Sequence, residues 1–200
     1  VGTQTTLALM DALAAIEGTK IGEVLTLDGA GGTGNALELL GSPIEQVPVD
    51  VREDVVVLRV ASLFGVAGAS GKGGNFVETM IRAGRERGSL RVVDDQVMSP
   101  TATADIARVV VRMCTEGCPA GLYHLVNAGA ASWFAFASRI IERAGIEATV
   151  SPCSSDDYPT RAARPRYSVL DNSKISGMFG AMAPWEDALE RYLREKGHLS

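Results

Sequence analysis

Three short polar stretches carry side chains that could hold a polar ligand. Asn75 stands where a helix is expected to start, and an Asn amide beside the free N–H groups of a helix start forms a donor set for phosphate oxygens. Arg164 and Arg166, in RPRYS, each offer a guanidinium that can hold a phosphate through two parallel hydrogen bonds. Between them in the chain lies DDQVMSPT, in which Asp94, Asp95 and Gln96 follow an apolar run, Leu90 to Val93. Parallel sheets hold ligands at the carboxyl ends of their strands, so a polar turn after Val93 is placed where a ligand would sit. Each stretch also has a plain structural reading. Asn75 can be a helix cap, the acids a solvated turn, and the arginines ordinary surface charge.

A second cluster is made of glycines. Gly29, Gly31 and Gly34 fit G-x-G-x-x-G after an expected strand, Glu23 to Leu27, and Asp50 follows at a distance where a ribose-binding acid can stand. These glycines are candidates for cofactor binding, with a flexible glycine loop as the other reading. Cys114, Cys118 and Cys153 are odd in number and lack C-x-x-C spacing, so the expectation is idle thiols, no metal site and a reducing, cytoplasmic setting.

The elements that must position these residues follow from periodicity. Apolar residues recur at helical spacing over 4–16, with short strands expected at 23–27 and 47–51. VVVLRVASLFG, residues 55–65, is almost continuously apolar and β-branched, as in a strand buried on both faces. A helix is expected from Asn75, with Glu78 completing a capping box and Gly88 ending it. A hydroxyl at Thr101 or Thr103 is expected to cap the next helix, whose inner face is Ile106, Val109, Val110 and Met113. LYHLVN reads as another buried strand, Trp133 to Ala144 as a helix, and PWEDALERYL as a last helix with Pro184 in its first turn. Strands alternating with helices predict an α/β, Rossmann-like parallel sheet covered on both faces. With 46% hydrophobic residues the chain can build such a core, and a net charge of -5 argues against a nucleic-acid partner. No apolar run reaches membrane-spanning length, so no membrane partner is expected.

From residue 55 onward the motifs VVVLRVASLFG, GGNFVETMIRAGRERGSLRVVDDQVMSPTATADIA, GLYHLVNAGAASWFAFASRII and RPRYSVLDNSK, followed by PWEDALERYL, resemble the C-terminal half of an extended short-chain dehydrogenase/reductase. More narrowly, they are similar to the dTDP-4-dehydrorhamnose reductase family. The resemblance implies a small C-terminal substrate-binding lobe, NADPH or NADH as cofactor, a nucleotide-sugar as substrate, and room for a homodimer. It implies reduction of dTDP-4-dehydro-L-rhamnose to dTDP-L-rhamnose. Its substrate-binding positions fall here on Asn75, Phe76, Asp95, Gln96, Arg164 and Tyr167.

This chain departs from the pattern in three places. Met98 stands where the family usually has glycine, and VAS, Val60 to Ser62, where it often shows T-S-W. The family's Y-x-x-x-K pair, whose ammonium lowers the phenol pKa so that it can give up a proton, is missing ahead of the VVVLR strand. Tyr192 and Lys196 have that spacing, but Tyr192 lies in the inner stripe of the last helix with Leu189 and Leu193, so the match reads as chance and the catalytic residues stay unassigned. VGTQTTLALMDALAA resembles a helix from the middle of the family's nucleotide-binding half. The expectation is therefore a truncated or divergent nucleotide-binding portion over 1–54 and sheet completion with substrate binding over 55–200. The rival reading is a non-catalytic nucleotide-sugar-binding or regulatory subunit resembling the β subunit of methionine adenosyltransferase.

Overall fold

The computed structural model describes residues 56–66, 74–157 and 164–199. The elements expected at 4–16, 23–27 and 47–51, the boundary at 54, and Gly29, Gly31 and Gly34 lie outside the described residues.

The apolar run after Val55 forms β1 (Val56–Arg59) and β2 (Leu63–Phe64) in place of one long strand. Ser62 causes the break: its φ of 45° is left-handed, a conformation that strands cannot carry and that costs a non-glycine residue about 1–3 kcal/mol. Helix α1 (Phe76–Arg87) begins as expected, with the Asn75 side chain accepting from the Glu78 N–H at 3.1 Å. Gly88, at φ 64°, ends it with its N–H on the Gly84 carbonyl. The Glu78 carboxylate does not close the capping box; it turns to Tyr192 and His198 instead.

Next come β3 (Ser89–Val93), β4 (Val97–Met98), β5 (Thr101–Ala102) and α2 (Thr103–Glu116). Neither Thr101 nor Thr103 caps α2, contrary to expectation: Ala102 holds the cap position, and Thr101 Oγ1 donates to the Ser99 carbonyl at 3.0 Å. Strand β6 (Gly121–His124), β7 (Ala131–Ser132), α3 (Trp133–Arg143) and β8 (Thr149–Cys153) follow, then a short 3₁₀ turn over Ser155–Asp157. Helices α4 (Ser173–Phe179) and α5 (Trp185–Glu195) complete the described chain.

The pairing is mainly parallel. β1 pairs with β6, β2 with β5 and β3 with β8, all parallel, while β4 and β7 pair antiparallel. Parallel pairs need crossovers, and here helices provide them, which makes the fold the expected α/β type. Helices α1, α3 and α5 close one core around Phe64, Val77, Phe136, Ile140, Leu189 and Tyr192. Helices α2 and α4 close a second against β6 around Ile106, Tyr123, Leu125 and Ile175. A third, smaller cluster joins β3 to α3 through Leu90, Val92, Ala137 and Ile141. Among the described residues no helix is long and apolar enough to cross a membrane.

LDNSK, one of the motifs that carried the resemblance, binds the last segment to β6 and the turn beyond it. Lys174 Nζ donates to the Leu122 carbonyl at 2.9 Å and lies 3.9 Å from the Tyr123 ring centroid. Asn172 donates to the Val126 carbonyl, and His124 Nδ1 lies 3.0 Å from the Asp171 carbonyl.

Candidate functional site

The DDQ turn is braced from two sides by short hydroxyl contacts. Ser132, which caps α3, donates to Asp94 at 2.5 Å. Asp95 accepts the Ser155 N–H at 2.9 Å and the Ser155 hydroxyl at 2.7 Å, so it holds the 3₁₀ turn after β8. Those Ser155 bonds, aided by the charge of Arg166, keep the Asp95 carboxyl below its ordinary range. Both acids are thus committed to the protein. The third member, Gln96, is half-buried and makes no hydrogen bond to another described residue.

A second segment docks on this turn. The Val97 N–H donates to the Arg166 carbonyl at 2.8 Å, the Ser168 N–H donates to the Val97 carbonyl at 2.9 Å, and Tyr167 bridges Val97 in parallel sense. The Leu170 N–H then reaches the buried Ser99 hydroxyl at 3.2 Å. A short arm, residues 164–170, therefore runs beside β4, held through the Arg166 carbonyl and the Ser168 and Leu170 N–H groups. Arg164, Arg166 and Tyr167 are exposed along it, Tyr167 at 69%. Polar residues far apart in the chain are brought together without any long element.

The third segment joins through aromatic rings. Phe76, at the start of α1, packs on Trp133 with centroids 4.7 Å apart and on Phe136 at 5.6 Å. Trp133 directly follows Ser132, which pairs with Val97 across β4 and β7. The chain of contacts Phe76, Trp133, Ser132, Val97, Tyr167 thus links all three expected regions. Asn75 is placed differently from its neighbour. It is buried, its two amide hydrogens go to the Gly65 carbonyl and the Tyr192 hydroxyl, both at 3.0 Å, and its oxygen caps α1. With that side chain spent, the helix-start N–H groups are what remain for a ligand.

Tyr192 lies deep in the first core and is no activated phenol. Its hydroxyl donates to Glu78 Oε1 at 2.6 Å, and burial, reinforced by the Glu78 charge, pushes its pKa up. A proton donor paired with lysine needs the opposite shift. Burial alone would raise Glu78, but the hydrogen bonds from Tyr192 and His198 outweigh it and hold the carboxyl below its ordinary range.

One polar network escaped sequence reasoning. Asp105, 4% exposed, receives both terminal nitrogens of Arg191 at 3.0 and 2.8 Å, and Asn127 donates to it at 2.7 Å. The Asn127 oxygen accepts the Ala102 N–H at 2.8 Å and so holds the cap residue of α2 from outside the helix, while no side chain caps the N–H groups of its first turn. Burial would raise the Asp105 carboxyl, and the Arg191 and Asn127 bonds overcome it and lower its pKa. The available signal was weak: an Asn at the end of an apolar strand and an Asp in a first helical turn.

Among the described residues no strand leads through a G-x-G-x-x-G loop into a helix, and no group of three metal-ligating side chains occurs. Among the described residues polar side chains gather at the β4 turn, and no dinucleotide cradle is formed.

Residues 43–197 match the family model described as the RmlD substrate binding domain. The chain is 35% identical over 144 residues to the spore coat polysaccharide biosynthesis protein SpsK of Bacillus subtilis, covering 72% of this chain and 48% of that protein. It is 36% identical over 149 residues to a dTDP-4-dehydrorhamnose reductase of Mycolicibacterium smegmatis, covering 73% and 44%. The crystal structure of dTDP-4-dehydrorhamnose reductase from Bacillus anthracis in complex with NADP superposes with a TM-score of 0.64 at 37% identity, over 70% of this chain and 48% of that one. The chain thus spans about half the length of the curated relatives it matches. From the parallel α/β pairing, the motif order and the match over 43–197, this chain belongs to the RmlD substrate-binding domain family, within the extended short-chain reductases.

Proposed function

We propose that this chain supplies the nucleotide-sugar-binding half of a dTDP-4-dehydrorhamnose reductase. The observation that carries the reading is the docking of the 164–170 arm on the DDQ turn, which sets Gln96, Arg166 and Tyr167 beside one another. In this arrangement Arg164 and Arg166 hold the diphosphate with the N–H groups of the α1 start, as guanidinium and helix-start donors both favour phosphate oxygens. Gln96 supplies an amide that can both give and accept hydrogen bonds with sugar hydroxyls. Phe76 shapes the floor with Trp133, and Tyr167 offers an exposed ring. Asp95 acts through the turn it braces, because a carboxylate facing a diphosphate would be repelled.

In the complete enzyme, NADPH or NADH supplies a hydride to the C4 ketone of dTDP-4-dehydro-L-rhamnose, giving dTDP-L-rhamnose. Gly29, Gly31 and Gly34 are the candidates for holding that cofactor. The described residues act on the sugar side alone: they bind, orient and enclose it. Isothermal titration with dTDP-L-rhamnose tests the reading. A binding heat that dTDP reproduces in part and rhamnose alone does not is expected; absence of heat at millimolar ligand would remove it.

A second reading, a non-catalytic nucleotide-sugar-binding or regulatory subunit, draws support from Tyr192, whose Y-x-x-x-K spacing sits buried on Glu78. NADPH oxidation with dTDP-4-dehydrorhamnose separates the two: turnover selects the reductase. Binding without turnover, together with complex formation with methionine adenosyltransferase, selects the subunit.

A further inference from the structure

The arm that bears Arg164, Arg166 and Tyr167 belongs to no helix and to no named strand, yet its backbone is joined to β4 through two main-chain hydrogen bonds that form one bridge. Both use Val97, one its N–H and the other its carbonyl. They bracket Tyr167 and fix the parallel sense there, but a bridge of one residue has no ladder on either side of it and opens easily. The next anchor is Ser99. Its side chain is fully buried, 0% exposed, and its hydroxyl accepts the Leu170 N–H at 3.2 Å. Thr101 Oγ1 in turn donates to the Ser99 carbonyl, which helps fix the backbone on which that hydroxyl stands. Ser168 adds a weaker side-chain contact, its hydroxyl 3.3 Å from the Val97 carbonyl.

A buried hydroxyl must have partners, and an apolar side chain here would strand the Leu170 N–H against Met98 and its buried neighbours. Ser99 thus sits two residues beyond Val97 on the turn strand and contacts the arm two residues beyond Ser168. The arm is thus held at two successive places, Val97 and Ser99, and without the second it rests on one isolated bridge.

We propose that Ser99 is a positioning residue: its hydroxyl keeps the arm that bears Arg164, Arg166 and Tyr167 closed on the Gln96 turn, and so governs nucleotide-sugar affinity without touching the ligand. The nucleotide-sugar part of this inference rests on the function proposed above; the anchoring part stands on geometry alone. In Ser99→Ala the Leu170 amide loses its acceptor, and the arm is left on the Val97 bridge alone.

Amide hydrogen exchange on the full chain, with and without dTDP-L-rhamnose, tests this. In the wild type, the amides of Val97, Ser168 and Leu170 are expected to exchange slowly and at similar rates. In Ser99→Ala, exchange at Leu170 and Ser168 should rise about tenfold or more while Val77 and Ile140 in the core stay unchanged, the factor expected when a buried N–H loses its partner. Affinity for dTDP-L-rhamnose should fall by a similar factor, while Ser99→Thr, which restores a hydroxyl, should recover both. Exchange that rises uniformly over the core, or a Leu170 amide that exchanges freely in the wild type, would overturn the proposal. If Ser99→Ala does not fold, the wild-type rates still decide it. Should the wild type bind no dTDP-L-rhamnose, the functional reading falls, and exchange at Leu170 in Ser99→Ala still decides whether Ser99 anchors the arm.

Discussion

The Tyr192 hydroxyl stands between Glu78, to which it donates at 2.6 Å, and Asn75, whose amide donates to it at 3.0 Å. One phenol therefore fastens α5 to the first turn of α1 and to its cap. Tyr192→Phe leaves a buried amide hydrogen and a carboxylate short of partners, and should cost about 1–3 kcal/mol in chemical denaturation. Because burial and Glu78 raise this phenol, the same variant should leave the tyrosinate absorbance of the native protein unchanged up to about pH 10, the ordinary tyrosine value. An absorbance step near neutrality that Tyr192→Phe abolishes would instead mark an activated phenol.

Asp105 has the clearest pH consequence. Its carboxyl is lowered in the fold, so it adds stability that is fully present above the ordinary Asp value of about 3.9 and is lost as pH falls through the lowered one. Asp105→Asn should thus destabilise the protein at pH 7 by about 2 kcal/mol, less than the loss from a fully enclosed pair because Arg191 is partly exposed and keeps Asp187. The gap between variant and wild type should shrink below pH 4. Urea denaturation at pH 7 and at pH 3 checks it, and equal gaps at both would refute the assignment.

Gly84 lies where α1 crosses α3. A Cβ there would come within 2.7 Å of the Ile141 Cδ1 and 3.3 Å of Ile146 Cγ2. Gly84→Val should cost about 1–3 kcal/mol by overpacking, although valine has the better helix propensity. Thermal melts would show it as a lowered midpoint.

Arg164→Ala and Arg166→Ala should each weaken dTDP-L-rhamnose binding about tenfold and reduce its salt dependence, because each removes one charge-assisted contact with the diphosphate. Both residues are exposed, so the melting temperature should barely move. Titrations at two salt concentrations distinguish this from a general loss of structure.

The α/β class was legible from strand and helix periods, and the start and stop of α1 from Asn75 and Gly88. The long strand after Val55 was misread because composition reports burial and cannot report the left-handed turn at Ser62. Strand β8 and helix α4 escaped because TVSPC carries a proline and SKISGMF a glycine, each of which argues against a regular element. For the candidate site, residue types singled out segments that the fold brings together but not the division of labour within them. DDQ looks like three equivalent polar groups; pairing with Ser132 and Ser155, both distant in the chain, turns two of them inward. The Asp105, Asn127 and Arg191 network joins residues up to 86 apart, beyond the reach of any local pattern.

The arm is held by main-chain atoms and by one hydroxyl that belongs to the opposite strand, while none of its outward side chains takes part in the grip. Recognition is thereby uncoupled from attachment. Substitution at positions 164, 166 and 167 can therefore change the chemistry this surface presents while the scaffold beneath keeps its shape.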